Sequence, residues 1–164
     1  MNKAIFLDRD GVINKERGEY TYKPETFIVN PHIATVVSLF KQHGFFVIIV
    51  SNQGGIEKGI YNHKDVMLLN NELNKMLEDA GTYIDEFYYC PHHSDRSRCL
   101  CRKPNSLLIE KAIARFNIDK KKSYMIGDNI RDVQAAETVG VKGIIVPANS
   151  DLLPLANQII NGLI

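Results

Sequence analysis

Four short polar clusters could do chemistry together: Asp8-Arg9-Asp10-Gly11, Ser51-Asn52-Gln53-Gly54-Gly55, Arg102-Lys103-Pro104 and Gly127-Asp128-Asn129. Taken singly each is ordinary: an aspartate closing a turn, a polar loop, a solvated lysine. Three of them, however, directly follow apolar runs that read as strands. In an open parallel sheet, ligands bind beyond the carboxyl ends of the strands. Asp8, Ser51 and Asp128 are therefore expected to converge on one edge. Carboxylates crowded there repel one another; a pair about 4 Å apart costs on the order of 4 kcal/mol at an effective dielectric near 20. A hard divalent cation with oxygen ligands, Mg²⁺, answers that repulsion. Lys103 supplies further positive charge. Asp8, Asp10 and Asp128 against Mg²⁺ and Lys103 sum to zero, and such a site can admit a phosphate dianion.

A second cluster has different chemistry. Cys90-Pro91-His92 and Cys99-Leu100-Cys101 give C-x-H and C-x-C within twelve residues. Cys90, His92, Cys99 and Cys101 suit tetrahedral zinc, with His93 as an alternative fourth ligand. The intervening Ser94-Asp95-Arg96-Ser97-Arg98 has almost no apolar area to bury, so a metal can fix a loop that a core cannot. Four protein ligands leave no open position, and the zinc is read as structural. It would aim Lys103, two residues further on, and Arg102 beside it.

The elements that must position these groups alternate. Ala4–Leu7, Phe45–Val50, Phe87–Tyr89, Tyr124–Ile126 and Gly143–Val146 are expected strands; their continuous apolar character suits a parallel sheet covered on both faces. Helical stripes lie between them. Asn30-Pro31 reads as the start of a helix carrying Ile33, Val36, Val37 and Phe40. Asn62 with Asp65 resembles a capping box, ahead of a stripe from Val66 to Ala80. Leu108–Phe116, Ile130–Val139 and Leu152–Leu163 complete the set. The pattern predicts an α/β fold, doubly wound around a mostly parallel sheet, as one domain over residues 1–164. Only Pro91–Asn105 lacks periodicity.

Composition narrows the function classes. The chain has 164 residues, 20 Lys+Arg against 19 Asp+Glu, 45% hydrophobic and 24% charged residues. This excludes a disordered chain and argues against a general nucleic-acid binder. The longest apolar run, Phe45–Val50, is far below the roughly 18 residues of a membrane span. Three cysteines cannot all pair. A cytoplasmic monomer acting on a small phosphorylated metabolite, with no nucleic-acid or membrane partner, is the expectation.

Phe6 to Asn14, Ser51-Asn52-Gln53, Arg102-Lys103-Pro104 and Gly127-Asp128 through Asp132 together resemble, in order and separation, the four motifs of the haloacid dehalogenase (HAD) phosphatase superfamily. The resemblance implies a Rossmann-like fold, Asp8 as nucleophile forming an aspartyl-phosphate, and Asp10 as general acid and then base. It implies Mg²⁺ held by the Asp8 and Asp128 carboxylates and the Asp10 carbonyl. Ser51 would hydrogen-bond the phosphoryl group and Lys103 would neutralise it, with substrate contacts also from Asn52, Gln53, Gly54 and Arg102. Asp132 would position either the Lys103 ammonium or the metal's waters. The segment from Cys90 to Pro104 is similar to the heptose-bisphosphate and histidinol-phosphate phosphatases, which carry such a zinc loop in place of a large cap. Asn52 to Ile56, Lys58-Gly59 and the doublet His92-His93 are nearer the heptose branch. The short span from His92 to Cys99 is nearer the histidinol branch, and Asn129, where the heptose branch often has Lys, departs from that pattern and leaves Arg102 and Arg131 to hold a second phosphate. The balance implies release of the 7-phosphate of D-glycero-D-manno-heptose 1,7-bisphosphate. A phospho-accepting receiver-type signalling domain, with its own acidic pair, Mg²⁺ and lysine, is the contrasting class.

Overall fold

The computed structural model describes residues 1–164. Five strands, β1 (Lys3–Leu7), β2 (Phe45–Asn52), β3 (Glu86–Cys90), β4 (Tyr124–Gly127) and β5 (Lys142–Ile145), form one sheet in the order β3-β2-β1-β4-β5. Every pairing is parallel. Five helices connect them: α1 (Ile33–Gln42), α2 (His63–Asp79), α3 (Leu107–Phe116), α4 (Ile130–Thr138) and α5 (Leu153–Ile160). None is long and apolar enough to cross a membrane.

Strand periodicity divides the interior. Ile5, Leu7, Val47 and Ile49 face one side and pack with Ile33, Val36, Val37 and Phe40 of α1, Leu73 and Leu77 of α2, and Ala156 and Ile159 of α5. Ala4, Phe6, Ile48 and Val50 face the other, against Leu108, Ile109 and Ala112 of α3 and Ala135 and Ala136 of α4. Alternation by two within continuously apolar strands gives each sheet face its own core. The expected doubly wound architecture is present.

The register sets the site. Leu7 lies opposite Ile49 of β2 and Ile126 of β4, so the three strands end nearly level. Chain order reverses direction at β1, between β2 and β4, and the crevice opens there. Asp8 continues the ladder, its amide donating to the Ile126 carbonyl at 3.0 Å.

Two local expectations give way. Asn30 does not cap α1; His32 occupies that position, and the buried Asn30 amide donates to the Val12 carbonyl at 3.0 Å. It braces the turn after Asp10 because that buried carbonyl needs a donor. The last helix stops at Ile160, where Gly162 turns with φ +65°, and Leu163 is 71% exposed. The Asn62–Asp65 capping box forms as read.

Candidate active site

Lys103 is the hub. Its ammonium, 1% exposed, lies 2.8 Å from Asp8 Oδ1 and 2.7 Å from Asp132 Oδ1, and donates to the Val50 carbonyl at 2.6 Å. Three acceptors match its three hydrogens. Burial alone would drive the proton off this lysine; the Asp8 and Asp132 carboxylates outweigh it and hold the pKa above the ordinary lysine value. Asn52 grips the lysine's backbone from both sides: its Oδ1 accepts from the Lys103 amide at 3.0 Å and its Nδ2 donates to the Lys103 carbonyl at 3.1 Å. The asparagine ending β2 thus fixes a loop residue fifty-one positions away.

Asp8 is almost fully buried, and burial pushes its carboxyl up to about 6, against the pull of Lys103 and with the push of Asp132 and Asp10. Its Oδ1 accepts from Lys103 and from the Arg9 amide at 2.8 Å, which leaves Oδ2 outside this lock. Burial, then Asp132, raises Asp128 as well. One oxygen from each of Asp8, Asp128 and Asp132 lies within 4.8 Å of the others. Against these three negative charges the structure sets one ammonium, leaving a net of −2. A divalent cation fits that deficit and the all-oxygen donor set. Gly11 keeps the cradle open: at φ +87°, a Cβ there would sit 2.1 Å from Asp128 Oδ2.

The charge sum expected from sequence changes at one member. The third carboxylate grouped with Asp8 and Asp128 is Asp132, not Asp10. Both Asp132 oxygens are committed, Oδ1 toward Lys103 and Oδ2 accepting from the Asn129 amide at 3.0 Å in the capping box of α4. Of its two expected tasks, contact with the Lys103 ammonium is the one seen. Asp10 instead accepts from Arg9 Nη2 at 3.0 Å, Asn14 Nδ2 at 3.0 Å and Gln53 Nε2 at 3.1 Å.

Ser51 is buried beside Gln53, whose Nε2 donates to its Oγ at 2.7 Å. Gly54 lies where β2's loop meets the cysteine loop; a Cβ there would come within 2.9 Å of both Arg102 Nη1 and the His93 ring. That close approach explains a glycine at this position. Arg102 Nη1 donates to the His92 carbonyl at 2.9 Å, so the arginine lies back along its own loop while still lining the cleft.

Cys90, His92, Cys99 and Cys101 come together without a disulfide. Cys90 Sγ is 3.6 Å from both His92 Nδ1 and Cys99 Sγ, and Cys101 Sγ is 3.4 Å from His92 Nδ1 and 2.9 Å from Cys90 Sγ. Zinc bonds of about 2.3 Å to sulfur and 2.0 Å to nitrogen place tetrahedral ligands roughly 3.5–3.8 Å apart, which three of these four separations match while the Cys90–Cys101 pair lies closer. The donor set fits zinc. His93 is not part of it: its Nδ1 accepts from the Asp95 amide at 3.2 Å and its own amide donates to Glu57. The histidine at position 92 is the one turned inward.

The cleft over these groups has a volume of about 370 Å³. Its walls come from Glu16, Glu19, Tyr20 and Thr21, from Asn52 to Gly54, and from His93 with Arg102; Asp128, Asn129 and Arg131 complete the lining. The first wall is pinned from afar. Asn149 Oδ1 accepts from the Glu16 amide at 2.7 Å, and its Nδ2 donates to the Glu16 carbonyl at 3.0 Å. Sequence reading missed Asn149, Arg9 and Tyr61. Arg9 is 1% exposed and joins Asp10 to the Thr21 carbonyl, to which it donates at 2.7 Å. Its place between two aspartates was a usable signal. Tyr61, just before a helix cap, carried none of its own.

Comparison with known proteins adds an independent line. The HAD-hydrolase-like family profile matches residues 100–152. The D-glycero-beta-D-manno-heptose-1,7-bisphosphate 7-phosphatase of Haemophilus ducreyi is 36% identical over 146 residues, covering 85% of this chain and 80% of that protein. The D-glycero-D-manno-heptose-1,7-bisphosphate 7-phosphatase of Chlorobaculum tepidum is 36% identical over 95% of this chain and 84% of its own length. A Photorhabdus laumondii relative named for the alpha anomer is 37% identical over 85% of this chain and 79% of its own. Among solved structures, the D,D-heptose 1,7-bisphosphate phosphatase of B. bronchiseptica, complexed with magnesium and phosphate, superposes with a TM-score of 0.89 at 25% identity, covering 98% of this chain and 99% of that one.

Proposed function

The chain belongs to the heptose-bisphosphate phosphatase family of HAD-like hydrolases, and from that premise we propose that it is a phosphomonoesterase releasing the 7-phosphate of D-glycero-D-manno-heptose 1,7-bisphosphate. The observation carrying this reading is the buried Lys103 ammonium shared by Asp8 and Asp132, with Asp128 beside them, behind a polar cleft that Asp8, Asp10 and Asp128 line. A receiver-type switch is the poorer fit, because the relatives are named as phosphatases across most of the chain's length.

Asp8 acts as nucleophile. Its carboxylate attacks phosphorus, and the ester oxygen departs as Asp10 hands it a proton. The resulting aspartyl-phosphate is opened by water, which Asp10, now a carboxylate, deprotonates; inorganic phosphate leaves and both aspartates return to their starting states. Lys103 holds Asp8 in line and balances charge gathering on the phosphoryl oxygens. Ser51 donates its hydroxyl to one of those oxygens. Arg102, with Arg131 across the cleft, faces the part of the substrate beyond the transferred group. The Asp8 and Asp128 carboxylates and the Asp10 carbonyl would hold Mg²⁺, which when bound supplies neutralising charge to carboxylates and phosphoryl group alike. Cys90, His92, Cys99 and Cys101 would hold zinc, which supplies rigidity to the loop carrying Arg102 and Lys103.

A steady-state panel with Mg²⁺ tests the assignment. The bisphosphate is expected to exceed histidinol phosphate in kcat/KM by at least about tenfold, a difference of roughly 1.4 kcal/mol in transition-state binding. Equal or reversed preference removes the sugar assignment. A single stable phosphoryl group per chain, without turnover, removes the enzyme.

A further inference from the structure

Gln53 and Tyr61 form a chain of hydrogen bonds with a fixed direction. The Tyr61 hydroxyl donates to Gln53 Oε1 at 2.7 Å; Gln53 Nε2 donates to Ser51 Oγ at 2.7 Å and to Asp10 Oδ2 at 3.1 Å. Gln53 is 1% exposed, and both hydrogens of its amide are spent within the protein. Its orientation is not free. Rotated by 180°, the amide oxygen would face the Asp10 carboxylate, and a buried donor on Asp10 would be lost.

We infer that Tyr61 is a positioning residue for hydrolysis, acting through Gln53 to set which way the Ser51 hydroxyl points and where the Asp10 carboxylate stands. The consequence for Ser51 is one of polarity. Its oxygen accepts the Gln53 hydrogen, so its own hydrogen is turned away and available to a phosphoryl oxygen. Were the amide reversed, Ser51 would donate inward and present only lone pairs to an anion. Tyr61 is well placed to enforce this. Its ring stacks on Tyr22 at 5.2 Å between centroids and meets Tyr20 edge-on at 5.7 Å. A Cβ on Gly55 would lie 2.1 Å from the ring, so only a glycine lets the tyrosine in. Burial pushes the phenol up to about 12, which keeps it a hydrogen donor. Gln53 is thus assigned to orienting the reacting groups, not to holding the sugar.

The inference rests on the phosphatase reading, and its test separates the two. 4-Nitrophenyl phosphate and the heptose bisphosphate are assayed with Mg²⁺ in wild type, Tyr61→Phe, Gln53→Ala and the double variant. Tyr61→Phe keeps the ring stack and removes one hydrogen bond; kcat is expected to fall about three- to tenfold with KM within about twofold. In the Gln53→Ala background the same substitution is expected to change kcat by less than about twofold, because its effect passes through the missing amide. Gln53→Glu retains an acceptor for Tyr61 but removes both donors, and is expected to lower kcat at least as far as Tyr61→Phe. It keeps the inference testable even if the phenylalanine variant fails to fold. Unchanged kcat in Tyr61→Phe or Gln53→Glu overturns the inference. So does a rise in KM alone, which would return Gln53 to substrate contact, or equal losses from Tyr61→Phe in both backgrounds, the mark of a purely structural tyrosine. A wild type inactive on both esters overturns the phosphatase reading itself.

Discussion

Lys103 is approached by two regions built on different principles. On one side Asp8 and Asp128 extend β1 and β4, and Asp132 sits in the first turn of α4, where it also closes the helix cap. Burial and backbone ladders place these carboxylates before any ion is considered. On the other side, residues 91–105 contain neither helix nor strand, and the apolar Leu100 is 73% exposed. This loop has no core of its own. It is held by the gathered Cys90, His92, Cys99 and Cys101, by Arg102 bonding back to His92, and by the grip of Asn52 on Lys103. The sheet can therefore exist without the loop's ligands, whereas the loop cannot deliver Lys103 without both.

The sharpest way to break this contrast is at the rim. Asp8→Asn is expected to lower kcat by at least about 10³-fold while the fold persists. Because burial raises the Asp8 pKa to about 6, its ionisation costs the magnesium-free protein stability as pH rises from about 4 through about 6. The stability the protonated carboxyl contributes is present below its unfolded pKa and lost above its folded one. Asn cannot ionise, so the melting temperature of Asp8→Asn relative to wild type is expected to climb over that interval. A constant or falling difference contradicts the assignment of burial as the dominant influence.

Lys103→Met comes next. It leaves Asp8 and Asp132 buried without their cation, and loss of one partner from such a pair costs about 3–5 kcal/mol. Denaturant unfolding at pH 7 checks this; a change below about 1 kcal/mol would mean the carboxylates do not depend on the lysine.

The loop is addressed by Cys99→Ala. Metal analysis is expected to give about one zinc per chain in wild type and much less in the variant. Activity is expected to fall about tenfold or more, as Lys103 loses its aim, while far-UV circular dichroism stays close to wild type. A zinc-free wild type with full activity would make the two regions alike. The smallest effect is expected at Asn62→Ala, which removes the cap of α2 and costs about 1 kcal/mol without altering kcat.

How much of this was legible depended on which forces act locally. Strand runs such as Ala4–Leu7 and the Asn62–Asp65 cap are written in neighbouring residues. The meeting of Asp8 and Asp128 followed from strand ends alone, and the C-x-H and C-x-C spacings gave the ligand cluster. Asn30 was misread because its partner, the Val12 carbonyl, lies eighteen residues away, and no local pattern reports that a distant carbonyl needs a donor. The contact of Asp132 with Lys103 was one of two expected tasks, but the hold of Arg9 on Asp10 went unseen, because a buried bond from Arg9 to the Thr21 carbonyl fixes it. Tyr61 could have been suspected only by asking why two glycines, Gly54 and Gly55, stand together.

The clamp of Asn149 on Glu16 has a mechanical implication. The lip of the cleft hangs from the stretch that leads into α5, on the far side of the sheet from the cysteine loop. That tie reaches across 133 positions of sequence, so the lip takes its place from where β5 ends and not from its own neighbours.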